Sequence, residues 1–344
     1  MLRRIVPVIL LVMLSGALYA AAEEQKLPVT LVTGVKGLGD KGPNDMAWEG
    51  VKRAANEFSC PINVIQSKAA ADYAANLTAA AEKAKVVVTV GAELADATRE
   101  VAGRFSGVYF VQIGGEVEGP PNVATYDFNG EETGFLAGVV AGLYTKTGVV
   151  GLASGSKSAA AQAFEVGFSA GVSAVVATTG KKKNVMRAPA GTFDDVERGR
   201  ALAGEFVTRG CDVVVKSDDK TGDGIWEGVK DKPAVKVIWQ DVDGDGTAEG
   251  KVLASTIKHI DVAVFEGVKM AIDRTWESGR KVLGYREGGV GLSEMKYSKQ
   301  LFTAEELAML ERAKGLLGRA EITVPSKDAE LKDYKAPVLT SAKD

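Results

Sequence analysis

The 344-residue chain has a single histidine, His259, and only two cysteines, Cys60 and Cys211. So small a supply excludes a clustered Cys/His metal centre. It also leaves any histidine-based dyad to His259, which follows Lys258 at an expected helix start with no nucleophile pattern around it. There is no serine elbow, no H-E-x-x-H segment and no phosphate loop with its lysine. Net charge is only −3, so nothing calls for nucleic acid or an acidic membrane as a partner. Each cysteine follows a helix and precedes a strand in a different half of the chain, which predicts two separate buried thiols. The apolar run Ile5–Leu14 is too short for a comfortable membrane span.

That run follows Arg3 and Arg4 and leads into Ala20-Ala21-Ala22, the pattern of an export signal over residues 1–22. Cleavage is expected after Ala22, with Ala20 as the second choice, and the mature protein is expected outside the cytoplasm. The remaining composition, 46% hydrophobic and 25% charged, suits one large or two medium cores.

Short apolar strands alternate with helical patterns. LPVTLVTG (27–34), INVIQ (62–66), VVVTVG (86–91) and VYFVQIG (108–114) read as strands, with helices over 44–58, 71–83 and 93–105. Uniformly apolar strands separated by helices predict a parallel sheet covered on both faces. The pattern restarts with helices over 130–148, 158–175 and 194–210 and strands at 148–155, 211–217 and 234–241. The basic stretch TGKKKNVMRAP (179–189) reads as a solvated loop. The expected class is α/β with two Rossmann-like lobes, 27–127 and 128–260. A segment 261–325 returns to the first lobe, and a polar tail, 326–344, frays at its end.

Three stretches invite a ligand. LVTGVKGLGDKGPNDMAWEG (31–50) has the glycine spacing of a dinucleotide fingerprint, but the second strand ends in Gln66 where such a site needs an acid. The interest therefore moves to Asp40 and Asn44, which either face a ligand or cap the helix entrance. WQDVDGDGTAEG (239–250) mimics the start of a calcium loop across 241–246, but position twelve is Val252 and the preceding element is a strand. The alternative places Asp241 at a strand C-terminus facing a cleft, where its carboxylate accepts from paired hydroxyls. KSDDKTGDG (216–224), with Asp218, opens a helix and is either a ligand loop or a polar turn.

Longer stretches carry a resemblance. GLGDKGPNDMAWEGVKRA, NGEETGFLAGVVAGLYTKTGVVGLASG, FEVGFSAGV, KVLASTIKHIDVAVFEGVK and REGGVGLSEM resemble segments of the basic membrane protein family of ABC transporter substrate-binding proteins. Purine nucleoside receptors and a flavin-binding branch belong to that family. The resemblance covers nearly all of residues 28–325. It implies a periplasmic-binding-protein type I-like fold whose lobes, joined by hinge strands, close on a small molecule. It implies a monomeric, extracytoplasmic, membrane-associated receptor without catalysis or cofactor. Such a receptor delivers a nucleoside-like solute, or riboflavin as cargo, to a membrane permease. Asp40 and Asn44 would then meet the ring end, Asp96 would line the same side, and Asp241 with Lys258 would take sugar hydroxyls. This sequence departs from the family pattern at Pro43 and Ala92, where ring-stacking groups are lost, and across SDDKTG (217–222), where charge is gained. Stacking would then fall to Trp48, Phe128, Phe193 or Trp239. The competing readings are a periplasmic nucleoside-processing enzyme and a surface adhesion module.

Overall fold

The computed structural model describes residues 26–155, 158–217 and 219–340. The export segment expected over 1–22 and the ligand candidate Asp218 lie outside the described residues.

The first sheet takes its strands from β1 (Val29–Thr33), β2 (Ile62–Gln66), β3 (Val86–Val90), β4 (Tyr109–Ile113) and β5 (Val123–Phe128). The second takes β6 (Val149–Ser154), β7 (Asn184–Pro189), β8 (Val213–Lys216), β9 (Lys236–Trp239) and β10 (Val252–Lys258). Two late strands, β11 (Gly279–Leu283) and β12 (Val290–Leu292), complete one sheet each. The orders are β11-β5-β4-β3-β1-β2 and β12-β10-β9-β8-β6-β7. Every pairing is parallel except that of β12 with β10. Valine-rich β1 and β3 are buried along their whole length, as strands with helices on both faces must be.

The helices follow the same two-lobe division. In the first lobe α1 (Pro43–Phe58), α2 (Tyr73–Ala81) and α3 (Ala95–Arg104) cover the sheet. In the second, α4 (Gly130–Tyr144), α5 (Ala159–Thr179), α6 (Val196–Thr208) and α7 (Lys220–Val229) do so. The chain then crosses back. α8 (Ile260–Ile272) packs on α1 and the first core, and β11 pairs with β5.

The segment 261–325 does not stay with the first lobe as expected. After β11 it crosses again: β12 pairs with β10, and α9 (Ala304–Gly318) buries Met309, Leu310, Ala313, Leu316 and Leu317 in the second core. The tail is likewise not a free polar end over its described part. Leu339 is buried in the same core, with Leu331, Tyr334 and Ala336 packed against it. Apolar residues spaced among lysines and aspartates hid this burial, because a single anchoring leucine leaves no periodic signal.

The basic stretch 179–189 is also corrected: its second half is β7, an edge strand whose outer face tolerates polar side chains. The two thiols are free and buried, Cys60 in the first-lobe core and Cys211 in the second. Burial pushes both upward, Cys211 to about 11, so neither is a reactive thiolate near neutral pH.

A lysine pair ties the loop between β9 and β10 to the second sheet. Lys236 Nζ donates to the Gly250 carbonyl at 2.5 Å and Lys251 Nζ to the Lys232 carbonyl at 2.6 Å. Burial, with Lys236 nearby, lowers Lys251 from its ordinary 10.5 to about 8. Because the folded value is depressed, the cost of burying the charged ammonium is full below about 8 and is relieved as pH rises to 10.5, so stability increases across that window. Urea unfolding of the wild type is expected to show stability rising between pH 8 and 10.5, and Lys251→Met is expected to flatten that rise. Equal slopes in the two proteins would refute this assignment.

Candidate functional site

In both lobes the carboxyl ends of the parallel strands face one cleft, the place where open α/β sheets bind ligands. Its inner part is a pocket of about 280 Å³ on the second lobe. Its outer part is a cavity of about 1040 Å³ reaching the first lobe. The two share Phe128, Gly130, Ser158, Ala160, Asp241 and Lys258, so they form one continuous space. Small-molecule sites usually enclose roughly 300–1,000 Å³.

Asp241 and Lys258 form the polar centre. Asp241 follows β9 and holds a left-handed backbone, φ 71°, that few non-glycine residues adopt. Its amide donates to Thr256 Oγ1 at 3.1 Å, and Lys258 at the end of β10 donates to its Oδ2 at 2.5 Å. The other carboxylate oxygen, Oδ1, is buried and has no partner among the described residues. A buried acceptor without a donor is costly unless a ligand supplies one. Ser217 Oγ, at the end of β8 in the same pocket, is in the same condition. Phe128 closes β5 at the hinge, and Phe193 stands on the loop before α6; both line the inner pocket.

Sequence reasoning missed Phe164 and Glu165 of α5, which line the pocket beside them. Their only sequence signal was the segment FEVGFSAGV, in which no residue type points to a ligand by itself.

The structure does not place five other candidates on the cleft. Asp40 folds the loop ahead of α1: its carboxylate accepts from the amides of Gly42, Asn44 and Asp45 and from Asn44 Nδ2. Asn44 is buried behind that loop, with Oδ1 unpartnered, while the adjacent Pro43 and Met46 reach the cavity instead. Asp96, in the first turn of α3, points into solvent with 95% of its side chain exposed and pairs with Arg99 at 2.6 Å. Trp48 packs on the first-lobe core. Trp239 is held edge-on against Trp226, ring centres 5.3 Å apart, with Lys216 Nζ 4.7 Å from its ring centre. Asp40, Asp96 and Trp239 have their interactions met locally, Trp48 is packed on the core, and Asn44 keeps its open Oδ1 behind the loop, away from the cleft.

The glycine run also fails as an anion cradle. Its amides at Leu38, Gly39 and Lys41 donate to Gln66 and Asp45, and Gly37 and Gly39 take positive φ only to turn the loop. The calcium-like loop diverges too. Asp241 turns to Lys258, and Asp245 turns inward to Ser255 and Ser293, at 3.1 and 2.9 Å. No group of three or more metal-binding side chains occurs among the described residues.

Two lobes of like topology, three crossings between them and a shared cleft at the strand ends define a two-lobed solute-binding protein of the type I periplasmic class. The chain belongs to the family of ABC transporter substrate-binding proteins described as PnrA-like, whose model matches residues 28–319. It is 31% identical over 321 residues to a CD4+ T-cell-stimulating antigen of Listeria monocytogenes, covering 87% of this chain and 88% of that protein. It is 28% identical to the ABC transporter nucleoside-binding protein BmpA of Lactococcus lactis, covering 88% of this chain and 90% of that protein. An ABC transporter solute-binding protein from Aeropyrum pernix has the same fold, with a TM-score of 0.72 at 23% identity over 89% of this chain and 96% of its own.

Proposed function

We propose that this substrate-binding protein captures a nucleoside-like solute in the cleft between its lobes. It works as a monomer outside the cytoplasm and delivers the solute to the permease of an ABC importer. The observation that carries the reading is the unpartnered Asp241 Oδ1 beside Lys258, in the pocket that Phe128 and Phe193 also line. A pair of sugar hydroxyls would donate to the carboxylate, and the lysine would donate to a ring or hydroxyl oxygen; such charge-assisted bonds are the strong ones. A flat base would lie against phenyl rings, which supply apolar area with little loss of conformational freedom. The nucleoside-binding relative from Lactococcus lactis supports this ligand class.

Closure of the lobes would bring Pro43 and Met46 onto the ligand from the first lobe. The ligand is bound and released unchanged, in keeping with a family of solute-binding proteins rather than enzymes.

A second reading is favoured by the size of the outer cavity, about 1040 Å³, which exceeds what a nucleoside fills. Riboflavin, with a larger ring system and a polyhydroxyl chain, uses the same two kinds of contact. Native mass spectrometry of protein purified without refolding tests both. A retained mass of a nucleoside, or of riboflavin with yellow colour, is expected. If adenosine, guanosine, inosine and riboflavin all fail to bind by calorimetry, both ligand assignments fall. Conversion of a nucleoside on incubation would support the enzyme reading instead.

A further inference from the structure

The family match ends at residue 319, yet the chain continues as an ordered segment along the second lobe to residue 340. Val324 and Leu339 anchor it in the core, and the Leu339 amide donates to Thr178 Oγ1 at 2.9 Å. Between these anchors, Ser326 and Lys327 line the outer cavity. The next residue, Asp328, forms an ion pair with Arg187 Nη1 on the edge strand β7. Arg187 Nη2 in turn lies 2.7 Å from Glu165 Oε2. Glu165 lines the inner pocket with its side chain only 5% exposed, and its Oε1 accepts from the Gly155 amide at 3.1 Å.

We infer that this C-terminal segment is a wall of the ligand site. Asp328 and Arg187 act as positioning residues for the Glu165 carboxylate, and Ser326 with Lys327 forms the outer rim. The inference rests on the cleft being the ligand site.

The reason is electrostatic. A carboxylate as enclosed as Glu165 is unfavourable without a paired cation. A guanidinium fork presents its N–H groups in a fixed plane, so holding one edge on Asp328 orients the other on Glu165. A carboxylate has about four acceptor sites. Among the described residues, Arg187 and the Gly155 amide occupy two, which leaves acceptor capacity for an N–H or O–H donor on the ligand. The site therefore selects a ligand that presents a donor at the inner end of the pocket, such as an exocyclic amine, a ring imide or a hydroxyl.

The full-length protein tests this with Asp328→Asn, Arg187→Gln, Arg187→Lys and Lys327→Ala. Affinity for adenosine and riboflavin is read by calorimetry, and exchange of the Gly155 amide by hydrogen-exchange mass spectrometry without ligand. Asp328→Asn and Lys327→Ala are each expected to weaken binding about three- to tenfold, and Arg187→Gln about ten- to a hundredfold. Arg187→Lys should recover part of the loss. Asp328→Asn should also speed exchange at Gly155 with little change in melting temperature, because an exposed ion pair adds little to stability by itself. Unchanged Gly155 exchange in Asp328→Asn overturns the inference, as does wild-type affinity in both Asp328→Asn and Arg187→Gln. If the wild-type protein binds none of adenosine, guanosine, inosine and riboflavin, the ligand reading fails, and the Gly155 exchange still decides whether the segment positions Glu165.

Discussion

Gly138→Ala is expected to destabilise the protein by about 3 kcal/mol or more, although alanine is the better helix former by roughly 1 kcal/mol. Gly138 lies in α4, and a Cβ there would stand 2.1 Å from the Phe168 carbonyl oxygen of α5. The contact is reciprocal. A Cβ at Gly134 would meet the Phe164 carbonyl at 2.2 Å, and Cβ atoms at Gly167 and Gly171 would meet the Glu131 and Phe135 carbonyls at 2.1 Å. Glycines four residues apart on each helix thus let the two backbones touch, and a methyl group must push them apart. Because Phe164 and Glu165 lie on α5 in the pocket wall, the same separation would displace the pocket and weaken ligand binding. Gly204→Ala in α6 is the control: nothing lies within 4 Å of its Cβ position, so stability should rise by up to about 1 kcal/mol. Urea unfolding of the two variants measures both effects. A Gly138→Ala midpoint at or above that of the wild type would show that the helices do not pack this closely.

Asp241→Asn should lower ligand affinity about ten- to a hundredfold while leaving the fold nearly as stable. Removing the charge forfeits the ionic component of the bonds proposed to ligand hydroxyls, and hydrogen bonds to charged groups are worth about 1.5–3 kcal/mol. Asparagine keeps the shape and accepts the left-handed backbone found here better than other residues do. Lys258 keeps contact with water, its side chain being 29% exposed, so losing its carboxylate partner does not strand a fully buried cation. Calorimetry gives the affinity and thermal unfolding the stability. An affinity within threefold of the wild type would remove Asp241 from the ligand site.

The first lobe was the most legible part of the chain. β1, β3 and β4 are buried apolar runs, and Pro43 together with the spacing of Ala47, Val51 and Ala54 marks α1. β5, β7 and β10 were not read as strands. VATYDF, NVMRAP and VLASTIK mix polar residues into the run, and Asp127, Arg187, Ser255, Thr256 and Lys258 among them find partners only in the fold. Ser255 of β10 is an example: it is fully buried, yet its hydroxyl donates to Asp245 and accepts from the Gly244 amide.

Among the candidate site residues, Asp241, Lys258, Phe128 and Phe193 meet in one pocket because they stand at strand ends or on the loops beyond them. Asp40 and Asp96 have the same chemistry and equally plausible positions, but one caps a helix and the other faces solvent. No local pattern distinguishes a carboxylate consumed by its own loop from one left open toward a ligand.

From its residues alone, this chain was committed to two α/β units and held to one histidine and two cysteines, too few for a clustered Cys/His metal centre. Those outcomes follow from short-range periodicity and composition, which any stretch of sequence carries within itself. The tertiary structure alone decided which carboxylate kept an open oxygen, why α4 and α5 need glycine, and that the tail returns to the second lobe. Each of these depends on atoms brought within a few ångströms from distant parts of the chain, as when Asp328, Arg187 and Glu165 meet across 163 positions of sequence (328 − 165).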